Sequence, residues 1–134
     1  MTSNLETLKE LPLIDTNSLS LAYLGDAVYE LYIRTYLLSK GNYKVGDLQQ
    51  MAVKYVSAKA QSNFLEQMIN DDFLTAEELV IVKRARNHKS HASPKHTDII
   101  TYKKSTGLEA LIGYLKLTNQ DKRIDEIMKY IVGE

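Results

Sequence analysis

The chain has 134 residues, 17 Lys and Arg against 17 Asp and Glu, 44% hydrophobic residues and no Cys. That length suits one domain with a real core, and the lack of Cys excludes a disulfide framework and a thiolate zinc site. There is no apolar run of about 18 residues, and Met1-Thr2-Ser3-Asn4-Leu5-Glu6 lacks the basic-then-apolar layout of a signal peptide, so the expected compartment is the cytoplasm.

With only 2 Pro and 6 Gly, and with Leu, Lys, Glu and Ala frequent, the composition favours an all-α chain. A short opening segment, Leu5 to Leu13, ends around Pro12. The first major helix is predicted from Asn17 or Ser18 to Ser39, stopped by Lys40-Gly41-Asn42. Its apolar residues cover more than one face, which marks a central helix or one shared with a partner subunit. A second helix follows Asp47 as N-cap and reaches about Ile69 before Asn70-Asp71-Asp72. A third opens on Thr75-Ala76-Glu77-Glu78, a capping box, and ends near Asn87. His88 to His96 reads as an irregular stretch around Pro94. A short segment, Asp98 to Tyr102, precedes a helix from Gly107 to Leu117, and a last amphipathic helix runs from Asp121 to Ile131. No repeat, low-complexity region or strand-like alternation is present.

The zero net charge hides an uneven distribution. Between Lys83 and Lys104 seven basic residues face one acid, Asp98, so this segment is net +6 and the rest of the chain −6. A basic tract set among Asn, Ser, Thr and His suits a polyanion better than a membrane. His88, His91 and His96 lie in this tract without carboxylate support, so a zinc site there is not expected.

Two acidic positions stand out. Ala22-Tyr23-Leu24-Gly25-Asp26-Ala27-Val28-Tyr29-Glu30 places Asp26 and Glu30 one helical turn apart in an apolar run, where acids need a partner such as a hard divalent cation. Ser105-Thr106-Gly107-Leu108-Glu109-Ala110-Leu111-Ile112-Gly113 carries a third acid, Glu109. Taken alone, Asp26 reads as a helix residue bonded to a neighbour, and Thr106 to Glu109 reads as a capping box.

The two stretches together resemble the signature motif and the second metal-binding helix of the ribonuclease III family. Full-length members carry two further acids, four residues before the first Asp and three before the second Glu; here those positions are Ala22 and Thr106. With so little sequence after the catalytic domain, no appended double-stranded-RNA-binding domain is expected. With Arg84-Ala85-Arg86-Asn87-His88-Lys89-Ser90 and Tyr102-Lys103-Lys104-Ser105-Thr106, the chain resembles the short bacterial branch, mini-ribonuclease III, from about Leu19 to Leu117.

The resemblance implies a helical, dimeric endonuclease domain that hydrolyses phosphodiesters of double-stranded RNA with Mg2+. Asp26 and Glu109 are its expected catalytic metal ligands, and Glu30 is a weaker candidate. Lys83, Arg84, Arg86, Lys89 and Lys95 are expected on RNA phosphates, with Lys103 and Lys104 behind them. It also implies the 23S ribosomal RNA precursor as substrate, with selectivity aided by RNA shape or by a protein on the same RNA, such as a large-subunit ribosomal protein. The alternatives are a helical RNA-binding module that has lost catalysis and a protein-interaction domain with no RNA role.

Overall fold

The computed structural model describes residues 17–41, 43–88 and 98–134, and every regular element among them is helical. They form α1 (Ser18–Lys40), α2 (Val45–Val56), α3 (Ala58–Asn70), α4 (Ala76–Arg86), α5 (Ile99–Leu117) and α6 (Asp121–Val132). The opening segment Leu5 to Leu13 and most of the tract around Pro94 lie outside the described residues.

Local signals explain the ends of three helices. Asn17 caps α1 by accepting from the Leu19 N–H at 2.7 Å. Thr75 and Glu78 close the capping box of α4 at 3.1 and 2.9 Å. Gly133, at φ 83, ends α6 in the left-handed conformation that glycine adopts without strain.

Two expectations are corrected. The stretch read as one helix from Asp47 to Ile69 is two, divided at Ser57, whose extended backbone (φ −64, ψ 154) ends α2 and whose hydroxyl oxygen caps α3 by accepting from Ala60 N–H at 3.2 Å. The break leaves the Tyr55 carbonyl without a helical partner, and the buried Tyr29 hydroxyl of α1 donates to it at 2.6 Å. Asp47 is not the N-cap: α2 starts at Val45, and Asp47 lies in its first turn, where a carboxylate suits the helix dipole.

The second correction concerns α5: the short segment at Asp98 to Tyr102 and the helix expected from Gly107 to Leu117 are one continuous helix, Ile99–Leu117. Asp98, not Thr106, caps it, accepting from Thr101 N–H at 2.9 Å. Thr106 lies about two turns inside, donating its hydroxyl to Tyr102 O at 3.0 Å, while Ser105 does the same at 2.8 Å. Both polar side chains are thereby satisfied within the helix.

Helix α5 is the hub, packing on α1, α3, α4 and α6. It buries Leu108, Leu111, Ile112 and Leu115 against Tyr29, Ile33, Leu65, Met68 and the inner face of α6. Each such side chain contributes about 1.5–3 kcal/mol of burial. Helix α1 is therefore not central. It buries one face on α5 and turns Tyr23, Leu31 and Leu38 outward, 85%, 68% and 63% exposed.

Candidate active site

Glycines decide where α1 meets α5. A β-carbon on Gly25 would fall 1.7 Å from the Glu109 carbonyl oxygen, and one on Gly113 would fall 1.9 Å from Leu21 O. The two backbones touch, as only glycine allows. Asp26 follows Gly25, and Glu109 stands one turn before Gly113, so the contact brings their carboxyl groups within hydrogen-bonding reach. The two acids come from helices far apart in sequence, and no backbone hydrogen bond obliges them to meet.

Burial, and then the Asp26 carboxyl, push the pKa of Glu109 up to about 9; Glu30 adds to this and the Gln61 amide opposes it. At neutral pH Glu109 therefore keeps its proton, and a cation bound there would take that proton's place. Burial and then the Glu109 charge push the Tyr29 hydroxyl upward too, so Tyr29 remains a donor to Tyr55 O.

The donor set fits a hard divalent cation: two carboxyls converge, and one is held out of water with no ion pair among the described residues. Among the described residues no group of three or more His, Asp or Glu side chains forms a closed cage. Mg2+, which keeps several waters, suits so sparse a set. Glu30, the weaker candidate, lies near enough to act on Glu109, and its carboxylate pairs with Arg34 at 2.7 Å. Where the family pattern has its two other acids, Ala22 packs with Leu21, Ala85 and Ala110, and Thr106 is buried with its hydroxyl on Tyr102.

The basic candidates divide. Lys83 and Arg84 are exposed and Arg86 partly buried at the end of α4, which Ala85 anchors against Leu21, Ala22 and Ala110 beside the α1–α5 contact. Lys89 and Lys95 lie outside the described residues, as do His91 and His96. Lys104 is paired with Glu66 at 2.8 Å.

Sequence reasoning passed over Gln61, which is 1% exposed, and Tyr29, fully buried. The signal for Gln61 was its phase: it shares the buried face of α3 with Leu65 and Met68, where a polar residue is out of place.

Comparison with known proteins agrees with this architecture. The Ribonuclease III domain family matches residues 19–120. Mini-ribonuclease 3 of Enterococcus faecalis is 49% identical over 116 residues, covering 87% of this chain and 88% of its own. That of Staphylococcus aureus is 46% identical over 116 residues, covering 87% of each. A crystal structure of a Fusobacterium nucleatum protein matches with TM-score 0.78 at 39% identity, over 89% of this chain and 93% of that one. The domain is thus of the ribonuclease III type. More narrowly, the chain belongs to the mini-ribonuclease 3 family.

Proposed function

We propose that this protein is a Mg2+-dependent endoribonuclease that cuts both strands of double-stranded RNA as a homodimer, maturing the 23S ribosomal RNA precursor in the cytoplasm. Endoribonuclease activity on double-stranded RNA follows from the family. The observation that carries the chemistry is the meeting of Asp26 and Glu109 across the glycine contact.

Phosphodiesters are anionic and slow to hydrolyse. Mg2+, when bound, supplies charge neutralisation, water activation and stabilisation of the leaving oxygen. Asp26 and Glu109 would hold it through hard anionic oxygens, Glu109 releasing its proton as it binds. Gly25 and Gly113 set the separation of the two carboxyls, and Arg34 keeps the Glu30 carboxylate engaged elsewhere.

Lys83, Arg84 and Arg86, with Lys89 and Lys95, would contact phosphates flanking the scissile bond. Duplex RNA hides its bases in a deep groove, so recognition falls to shape, phosphates and 2′-hydroxyls. The affinity would rest on the domain's own basic surface, and a large-subunit ribosomal protein on the same RNA would sharpen selectivity.

Support for the dimer is the outward stripe of α1. Tyr23, Leu31 and Leu38 recur on one face and continue into a groove shared with Val45 and Val53 of α2, themselves 70% and 57% exposed. A second copy would cover this surface and bring two sites to one duplex.

The test is incubation with an end-labelled RNA duplex, with and without Mg2+. Metal-dependent cutting supports the enzyme. Binding without cutting supports the RNA-binding module instead, and neither supports an interaction domain.

A further inference from the structure

Among the described residues, the Nε2 of Gln61 is the one buried side-chain polar atom without a hydrogen-bond partner. A buried donor left unpaired is costly, and native structures keep few. An apolar residue in the same phase as Leu65 and Met68 would avoid that cost. The donor is placed with care nonetheless. The Gln61 backbone N–H rests on Ser57 O at 2.9 Å, so the break that opens α3 sets the height of the side chain. From there the amide lies within reach of the Glu109 carboxyl without being seated on it in good geometry. The other polar side chain beside Glu109 on the inner side, Tyr29, is already committed to Tyr55 O at 2.6 Å.

We propose that Gln61 is a positioning residue for the cation site: its amide N–H seats on the Glu109 carboxylate when that group takes up a divalent cation, and so fixes which oxygen faces the metal. This rests on the reading of Asp26 and Glu109 as metal ligands. In the metal-free protein the Glu109 carboxyl is engaged with Asp26. A cation drawing both carboxylates toward itself would turn one Glu109 oxygen inward, where the waiting amide meets it. Partners that orient a ligand in this way affect metal affinity or activity by about 10–100-fold. A glutamine that only fills space would affect neither.

The experiment uses Gln61→Met, which keeps the unbranched shape and removes the donor. Mn2+ is titrated into the metal-free protein by calorimetry, the metal-free melting temperature is recorded, and kcat on an RNA duplex is measured at saturating Mg2+. The expected result is Mn2+ affinity weaker by about tenfold and kcat lower by a similar factor, with a metal-free melting temperature equal to or above that of the parent. Unchanged affinity and kcat overturn the proposal. Should Gln61→Met fail to fold, Gln61→Asn keeps an amide but withdraws it by one methylene; it should show the same loss, and unchanged affinity overturns the proposal.

Glu109→Gln in the same titration separates the two ideas. If it abolishes Mn2+ binding while both Gln61 variants bind like the parent, only the role of Gln61 fails. If it binds Mn2+ as tightly as the parent, the cation site itself fails and the role of Gln61 with it.

Discussion

Gly25 lies against Gly113 with no room for a β-carbon on either, and this contact holds Asp26 beside Glu109. Gly113→Ala must push α1 away from α5. Overpacking costs roughly 1–3 kcal/mol, occasionally more, and here the obstacle is backbone, at 1.9 Å. The melting temperature should fall by about 10 °C, since about 1 kcal/mol corresponds to roughly 4 °C at this size, and cleavage should be lost even where the protein stays folded. Gly46→Ala is the control: nothing lies within 4 Å of its added carbon, and inside α2 the change should stabilise by about 0.5–1 kcal/mol. Thermal melts and duplex cleavage of both variants decide the matter.

Arg123 is the second clamp. Its guanidinium donates to both Glu78 oxygens at 2.8 and 2.9 Å and to Phe73 O at 2.7 Å, tying α6 to the start of α4. Arg123→Ala leaves a nearly buried carboxylate unpaired and should cost about 3 kcal/mol. Burial alone pushes the Glu78 carboxyl up, but bonds from Arg123 and Thr75 outweigh it and hold the pKa below the ordinary value. A lowered carboxylate contributes stability that is complete above its unfolded pKa and lost as pH falls through the folded one. Melts should therefore show an acid limb below about pH 4.5 that is shallower in Arg123→Ala.

Lys83 and Arg86 should act on RNA and little on the fold. Changing each to Gln should weaken duplex binding and reduce the salt slope by about 0.7–0.9 log units per lost phosphate contact, with melting temperature nearly unchanged. Binding isotherms across a salt series give the answer; an unchanged slope removes the end of α4 from the RNA surface.

The outward stripe of α1 should be the contact between copies. Leu31→Arg, at a position 68% exposed in the single chain, should leave the fold intact and yield monomers by sedimentation, cutting poorly on both strands. A dimer that survives Leu31→Arg together with Leu38→Arg would place the interface elsewhere.

Helix α4 and the start of α1 were legible from sequence because their signals are local: Asn17 and the Thr75–Glu78 box. The break at Ser57 was not, because part of its stabilisation comes from the Tyr29 hydroxyl of another helix, which periodicity cannot see. Ser105-Thr106-Gly107 looks like a helix start, yet packing against α1 and α4 carries α5 straight through it, and a β-carbon added to Gly107 would lie only 3.2 Å from Val82. Asp26 and Glu109 were legible through their motifs. Gln61 was not, since a polar residue on a buried face reads only as an imperfect core position.

The most direct measurement compares Glu109→Gln with the parent at pH 8, recording melting temperature without metal and duplex cleavage over a Mg2+ series. The Glu109 pKa is raised to about 9 by burial and by Asp26. A raised carboxyl contributes stability that is complete below its unfolded pKa and lost as pH rises through the folded one, so the metal-free parent is losing it at pH 8. Gln cannot ionise and should melt several degrees higher there, about 4 °C for each kcal/mol recovered. The same change removes a hard anionic ligand, so cleavage should fall by about a hundredfold or more at every Mg2+ concentration, and Asp26→Asn should fall with it. A folded Glu109→Gln protein that cuts RNA duplexes like the parent across that series would contradict the assignment of the site.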